Sequence, residues 1–370
     1  MRHFFRPHTR QRARPKRPGL ITGFLVGCLL LLSACSGSSN SVVKNHKESD
    51  IEAVSALQKE QGQLQLATFR QWIGLLEQYQ AGTSTYHLEY MHDQKALEAA
   101  QSADVYQGVL QTVDQHVKSI RFATLKTEAT SLEKQLSQQA SAWGKTHTYH
   151  DDYNGTTYQL GYEYGPDGVD GFVQDDLSGA KTATDYLHAV QDADMFLVNF
   201  QAYQANASDK TPWDKPHATD VQLMQHYNVF NQKVVVVSLG EEVLRVYDHG
   251  KLVKAFHVTT GRPEKPSLPG FWHVEEKQSP TVFKSGAPPG SPDWYPDTPI
   301  NYAMLYHDGG YYLHDSWWRD DYGFGTQFPH ADSSGDSFSF EGSHGCINIA
   351  TSNAAWLYGF VSVNTPVIIY

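Results

Sequence analysis

The hydrophobic pattern of this chain changes period at Lys233, and few folds accommodate both halves of such a sequence. From about residue 49 to 147 apolar side chains recur mostly three and four apart, in Leu57, Leu64, Leu66, Phe69, Trp72, Ile73, Leu75 and Leu76, then in Leu97, Val105, Val109, Leu110, Val113 and Val117. That spacing lays an apolar stripe along a helix. Gln and Ala are abundant and Pro is absent there, which predicts two or three long helices packed on one another. From Lys233 the text is different: Val234-Val235-Val236-Val237-Ser238-Leu239, a turn at Gly240-Glu241, Val243-Leu244-Arg245-Val246-Tyr247, a turn at Asp248-His249-Gly250, then residues 253–260. This reads as a three-strand meander. The expected fold class is therefore α+β, an N-terminal helical region followed by a mostly-β C-terminal domain.

Between these halves the pattern is mixed. Asp151-Asp152-Tyr153-Asn154-Gly155 and Tyr164-Gly165-Pro166-Asp167-Gly168 bracket the alternating Thr157-Tyr158-Gln159-Leu160-Gly161-Tyr162, which predicts a short hairpin or loop. Helical spacing returns over about 180–205 and again over 221–230. Downstream, Pro288, Pro289, Pro292, Pro296 and Pro299 crowd a loop at about 279–299. Loops that long inside a compact domain usually serve function, often as lids.

The first 35 residues carry Arg2, Arg6, Arg10, Arg12, Arg14, Lys16 and Arg17 with no acidic residue, then an apolar run over 20–32. This is the composition of an export signal, and the run is short for a span, which needs roughly 20 residues. The segment ends in Leu32-Ser33-Ala34-Cys35, which resembles a bacterial lipobox. That resemblance implies lipidation of Cys35 and an anchored protein on the extracytoplasmic face of the cell envelope; an uncleaved signal anchor or an ordinary cleavage site is the alternative. Residues 36–48 begin with small polar side chains and suit a flexible linker. Taking the seven basic residues from the 29 in the chain leaves 22 against 40 acidic, a formal charge near −18. Nucleic acid is thereby an unfavourable partner.

Of the three cysteines, Cys28 lies in the apolar leader and Cys35 in the lipobox, which leaves Cys346 without a disulfide partner. It stands in Ser343-His344-Gly345-Cys346-Ile347-Asn348. A free thiol flanked by histidine and a conformationally permissive glycine is the composition of a nucleophile site. A thiol of ordinary pKa, ~8.5, is mostly protonated at neutral pH, so a base is needed. His344 is two residues away, but a tight turn at Gly345 would break the alternation that aligns them. His314, at the end of the apolar Tyr311-Tyr312-Leu313, is better placed to arrive from a neighbouring strand.

From Leu313-His314-Asp315-Ser316-Trp317-Trp318 to Ser343-His344-Gly345-Cys346-Ile347-Asn348 the chain resembles the active-site signature of the L,D-transpeptidase catalytic domain, the YkuD-type fold. Ser267-Leu268-Pro269-Gly270-Phe271-Trp272-His273-Val274 is similar to that family's Thr-Pro-x-Gly strand entry, and Ser352-Asn353-Ala354-Ala355-Trp356-Leu357 to its short helix after the cysteine. The resemblance covers about 232–370. It implies that Cys346 attacks a peptide carbonyl, that His314 takes its proton, and that the amides of Gly345 and Cys346 stabilise the oxyanion. It further implies that Ser343 belongs to the pocket, that His344 shapes it, that Asn348 braces the turn, and that a tyrosine ahead of the base lines the acyl site, Tyr295 being the nearest.

Two departures from the family pattern stand out. Cys346 lies 32 residues after His314, where the family has fewer than twenty, and residues 325–335 read as an insertion. His330 is nearer the usual spacing but has no strand before it, which favours His314. Asp315 replaces the usual Gly or Ser; it orients the imidazole, raises its pKa, or faces solvent. His307, His314, His330, His344 and Cys346 show no compact zinc spacing, so neither a metal nor another cofactor is expected. Trp317 and Trp318 are core or sugar-stacking residues on this reading.

The organisation expected is thus a signal with lipobox at 1–35, a linker at 36–48, a mainly helical accessory region at 49–230 able to dock a protein partner, and a catalytic domain at 231–370. The implied activity is cysteine-dependent peptidoglycan L,D-transpeptidation through a thioester with a stem tetrapeptide, with L,D-carboxypeptidase activity when water is the acceptor. The alternative is a catalytically idle peptidoglycan-binding scaffold lipoprotein.

Overall fold

A computed structural model describes residues 53–291 and 294–370. The export signal, Cys35 and the linker expected at 36–48 lie outside the described residues. Among the described residues no helix is long and apolar enough to cross a membrane.

Three helices come first: α1 (Ala56–Gln78), α2 (Ser84–Ala99) and α3 (Ala103–Thr146). Local chemistry sets their starts. Ser55 and Gln58 form a reciprocal capping box at α1, and the Ser102 hydroxyl accepts from the Val105 amide at α3. Phe69, Ile73 and Leu76 of α1 meet Ile120 of α3 in one apolar cluster, while Leu97 joins Tyr106, Leu110 and Val113 in a second. Not all of the expected stripe is used: Leu57, Leu64 and Val105 are exposed.

At 44 residues, α3 is about 66 Å long, enough to leave the bundle and reach the β-rich domain. There it is followed by the hairpin β1 (Thr148–Asp151) and β2 (Thr156–Gln159), a 3-10 turn at Tyr162–Tyr164, and helices α4 (Val169–Gly179), α5 (Ala183–Asn206) and α6 (Ala218–His226). Leu136 and Ala140 of α3, Val173 of α4, Phe196 and Phe200 of α5 and Leu223 of α6 share one continuous apolar core with the strands that follow. The boundary drawn at 230/231 from composition therefore runs through a shared interior. Burial of such side chains at about 25 cal/mol per Å² makes this seam part of the fold's stability.

The meander is β3 (Lys233–Ser238), β4 (Val243–Asp248) and β5 (Lys251–His257). After it come β6 (Gly270–His273), β7 (Glu276–Gln278), β8 (Thr281–Phe283), β9 (Thr298–Ile300), β10 (Ala303–His307), β11 (Tyr311–Asp315), β12 (Ile347–Ile349), helix α7 (Thr351–Phe360) and β13 (Pro366–Ile369). One sheet has the order β5-β4-β3-β13-β6 and the other β12-β11-β10-β7, while β8 and β9 pair at the two ends of the proline-rich loop. The valines of β3 are completely buried because both faces of that strand are covered, which is why it reads as an unbroken apolar run.

A polar network is buried between α6 and the first sheet. Arg245 and Asp220 form an ion pair at 2.6 Å, and the hydroxyls of Tyr247 and Tyr370 each donate to Asp220 at 2.6 Å. The Arg245 and Asp220 charges thus answer one another, as burial of ions requires.

Candidate active site

The parallel pair β11 and β12 builds the site, with Leu313 opposite Ile347 and His314 opposite Asn348. Leu313 and Ile347 point into the core. Strand alternation then places Tyr312, His314 and Asn348 on the other face, with Cys346 in the bend directly before β12. The 32 residues between His314 and Cys346 are spanned by a parallel crossover, which leaves His314 on β11 and Cys346 at the entry to β12.

His314 is buried, with Phe283 edge-on at 5.0 Å between ring centres and Trp318 at 6.1 Å. Its Nδ1 donates to the Asp315 carbonyl at 2.9 Å, and the Asn348 amide Nδ2 donates to its Nε2 at 3.1 Å. The two bonds together define one tautomer, with the proton on Nδ1 and the lone pair on Nε2. Desolvation among the aromatics lowers the imidazole pKa to about 4, against the raising effects of the Asp315 carbonyl and carboxylate.

Cys346 is half-buried, and its Sγ faces the Gly310 carbonyl at 3.7 Å. Desolvation raises the thiol pKa to about 11, although the Tyr312 N–H stabilises the charged sulfur. The thiol and His314 are not hydrogen-bonded to each other. Both groups are neutral over a wide pH range, so the resting pair is thiol and imidazole rather than thiolate and imidazolium. Tyr295 completes this surface: its ring lies 5.6 Å from that of His344, and burial together with the nearby sulfur raises its hydroxyl pKa.

A second segment clamps the turn that carries Gly345 and Cys346. Thr259 and Asn348 exchange backbone hydrogen bonds at 3.0 and 2.8 Å, Ser343 N–H donates to the Thr260 carbonyl at 2.9 Å, and Arg262 N–H to the Ser343 carbonyl at 3.1 Å. The buried Ser267 hydroxyl donates to the Gly345 carbonyl and accepts from Gly261 N–H, both at 2.9 Å. Arg262 pairs with Glu341 and lies 3.4 Å from His344 Nε2. Gly345 has φ +112, and a Cβ there would lie 2.9 Å from the Tyr311 ring. Only glycine accommodates both demands.

Several expected roles change on this geometry. The Gly345 N–H donates to the Ser343 hydroxyl at 3.0 Å, so it is engaged and not offered to an oxyanion; Ser343 in turn donates to the Cys346 carbonyl at 2.5 Å. The N–H of Cys346 makes no hydrogen bond to the described residues. Asn348 braces the turn through its backbone, while its side chain is on His314. The Asp315 carboxylate accepts from the amides of Asn301 and Tyr302 at 2.8 and 2.7 Å, so it is its carbonyl that orients the imidazole. His330 is held by the Phe328 carbonyl at 2.8 Å, within the inserted loop. Among the described residues no group of three or more His, Cys, Asp or Glu side chains is arranged to hold a metal ion.

The insertion is a built element. Asp332 accepts from the amides of Asp320, Asp321 and Ser334 at 3.1, 3.2 and 2.9 Å. Phe328 is fully buried against Tyr149, Tyr158 and Tyr162, with ring centres 4.9, 4.7 and 6.0 Å away, and Tyr162 donates to the Gly261 carbonyl at 2.6 Å. The β1–β2 hairpin thus supports both the insertion and the clamp. Sequence reading missed Phe283, Arg262, Ser267 and Phe328 as site-building residues. Only Ser267 carried a signal, its place at the head of the Ser-Leu-Pro-Gly motif.

The β-rich domain thus brings a free thiol, directly before β12, and a buried imidazole on β11 to adjoining segments. Residues 232–369 match the model of the YkuD family, the L,D-transpeptidase catalytic domain. The chain is 27% identical over 150 residues to L,D-transpeptidase 1 of Mycobacterium tuberculosis, a match covering 40% of this chain and 53% of that protein. It is 30% identical over 113 residues to the probable L,D-transpeptidase 3 of the same organism, covering 30% and 36%. The NMR structure of the catalytic domain from the E. faecium L,D-transpeptidase shares 30% identity, 38% of this chain and 98% of that one, with a TM-score of 0.31. The chain spans about half the length, or less, of these curated relatives.

Proposed function

We propose that the protein is a peptidoglycan L,D-transpeptidase in which Cys346 is the nucleophile and His314 the base. The observation that carries this reading is the register of β11 and β12, which sets His314 opposite Asn348, two residues after Cys346, with the imidazole held in the tautomer whose Nε2 accepts a proton. Sγ attacks the donor carbonyl of a stem tetrapeptide while its proton passes to Nε2, once Asn348 yields that position. The oxyanion forms beside the Cys346 N–H, an amide donor of a type worth ~3 kcal/mol. Collapse breaks the peptide bond; the leaving amine of D-alanine takes the proton from the imidazolium, and Cys346 is left as a thioester. An amine acceptor restores the thiol and yields a cross-link, and water yields the trimmed peptide. Lipidation of Cys35 would hold this chemistry at the extracytoplasmic membrane face, beside its polymeric substrate.

Incubation of the protein with purified muropeptides, followed by mass analysis, is expected to show released D-alanine with cross-linked or trimmed products. Retention of muropeptides with no D-alanine released would instead identify an idle binding protein.

The neutral resting pair has its own signature. With the thiol pKa at about 11, the thiolate fraction at pH 7.5 is roughly 300-fold below that of an ordinary cysteine. Alkylation of the Cys346 peptide by iodoacetamide, followed by mass spectrometry, should therefore be slow at neutral pH and climb about tenfold per pH unit to near pH 11. The rate should show no inflection near pH 6.5, since His314 is protonated only below about pH 4.

A further inference from the structure

Glu242 stands in the turn between β3 and β4, a place where acidic side chains ordinarily reach solvent, yet it is completely buried. Its backbone has φ +53, in the left-handed region that glycine or asparagine occupies with less strain. Strain and burial of an acid both count against this residue, so what its side chain holds must outweigh them.

Both carboxyl oxygens turn to Thr260, which is itself fully buried. Oε2 accepts from the Thr260 N–H at 2.6 Å and Oε1 from the Thr260 hydroxyl, while the Glu242 carbonyl accepts from Val258 N–H at 2.9 Å. Burial raises the Glu242 pKa well above the carboxylate range; the Thr260 hydroxyl and amide lower it, Glu163 adds to the rise and Arg319 opposes it.

Residues 258–262 form the clamp, whose path is fixed by side chains from elsewhere: Glu242 at Thr260, Ser267 and Tyr162 at Gly261, and Thr326 at Thr259. The clamp meets the segment before Cys346 backbone to backbone, since a Cβ at Gly342 would lie 2.9 Å from the Thr260 carbonyl. That same carbonyl receives the Ser343 N–H, and the Ser343 hydroxyl binds the Gly345 amide and the Cys346 carbonyl. Thr259 is bonded to Asn348, whose side-chain amide is on His314. Thr260 and its neighbour therefore connect one carboxyl group to both halves of the reacting pair.

We propose that Glu242 is a positioning residue for the acyl-transfer site. By holding Thr260 it fixes the clamp, and through the clamp the turn that carries Cys346 and the Asn348 amide on His314. This role rests on the acyl-transfer reading above. Misplacement of a reacting group by a distant change is a recognised source of lost rate.

Hydrogen exchange and carbapenem acylation of full-length variants test the assignment together. Glu242→Asn suits the left-handed backbone but is one methylene too short to reach Thr260. In it, exchange over residues 343–348 is expected to quicken at least about tenfold while exchange in β3 stays unchanged. The maximal acylation rate of Cys346 should fall about 10- to 100-fold, with the half-saturating carbapenem concentration within about twofold. Glu242→Gln, with an acceptor for the Thr260 amide and a donor for its hydroxyl oxygen, should restore both properties to within about threefold. Thr260→Val leaves the carboxyl group one partner short and should show a smaller loss of the same kind, which keeps the test decisive if Glu242→Asn does not fold. Unaltered exchange and acylation in a folded Glu242→Asn or Thr260→Val protein would overturn the assignment. So would a Glu242→Gln protein as slow as Glu242→Asn, or a loss confined to half-saturation. Quicker exchange over 343–348 in Glu242→Asn, with no acylation even of the unmodified protein, would reject the acyl-transfer reading and leave the hold of Glu242 on this turn standing.

Discussion

Cys346→Ala is expected to abolish D-alanine release from muropeptides, a loss of at least about 10⁴-fold, because removing a nucleophile takes the covalent route with it. The substitution removes one half-buried sulfur held by a long contact to the Gly310 carbonyl and by the Tyr312 N–H, so the fold should tolerate it. Intact-mass spectra after exposure to a carbapenem should show an adduct on the unmodified protein and none on the variant. An adduct on the variant would end the nucleophile assignment. His314→Ala should lower the acylation rate about 10²- to 10⁴-fold, the usual range for a general base. Tolerance of that change would point to a cysteine enzyme with a different base, and His330 is poorly placed to serve, since its ring is tied to the insertion backbone.

Phe328→Ala should cost about 3–5 kcal/mol, the range for emptying a fully buried aromatic site. The side chain sits among three tyrosines of the hairpin region, so its loss separates the insertion from its support. Denaturant unfolding supplies the energy, and hydrogen exchange locates it: protection should fall in residues 319–342 and in 147–165 together. Phe338→Ala, in the same segment but 51% exposed, is the control and should move stability by no more than about 0.5 kcal/mol. If the two variants behave alike, the aromatic contact does not hold the insertion. Because the insertion returns to the chain at Gly342, directly before the nucleophile turn, acylation of Cys346 is expected to slow in the Phe328 variant as well.

The helices, the meander and the nucleophile motif were legible because each is written in short-range chemistry. Capping residues at Ser55 and Ser102, a run of four valines and a glycine beside the cysteine act over a few positions. The apolar stripe of the first helices was legible in period but not in detail, since Leu57 and Leu64 follow it and are nonetheless exposed. Spacing alone does not say how wide a face the neighbouring helix will cover. The division at residue 230 looked like a domain boundary for a related reason. Composition registers the switch from helix to strand, whereas the core shared by Phe196, Phe200, Val236 and Ile368 depends on contacts far apart in sequence.

By itself the sequence determined the α+β order, the glycine turn before Cys346 and a histidine on a strand near it, because hydrophobic period and residue chemistry are local properties. Only the tertiary structure decided that the Asp315 carboxylate serves a turn while its carbonyl holds the imidazole, that Gly345 gives its amide to Ser343, and that the insertion rests on a hairpin more than 160 residues upstream. Hydrogen-bond donors and acceptors are assigned by what packing brings within about 3 Å, and that is a property of the folded chain.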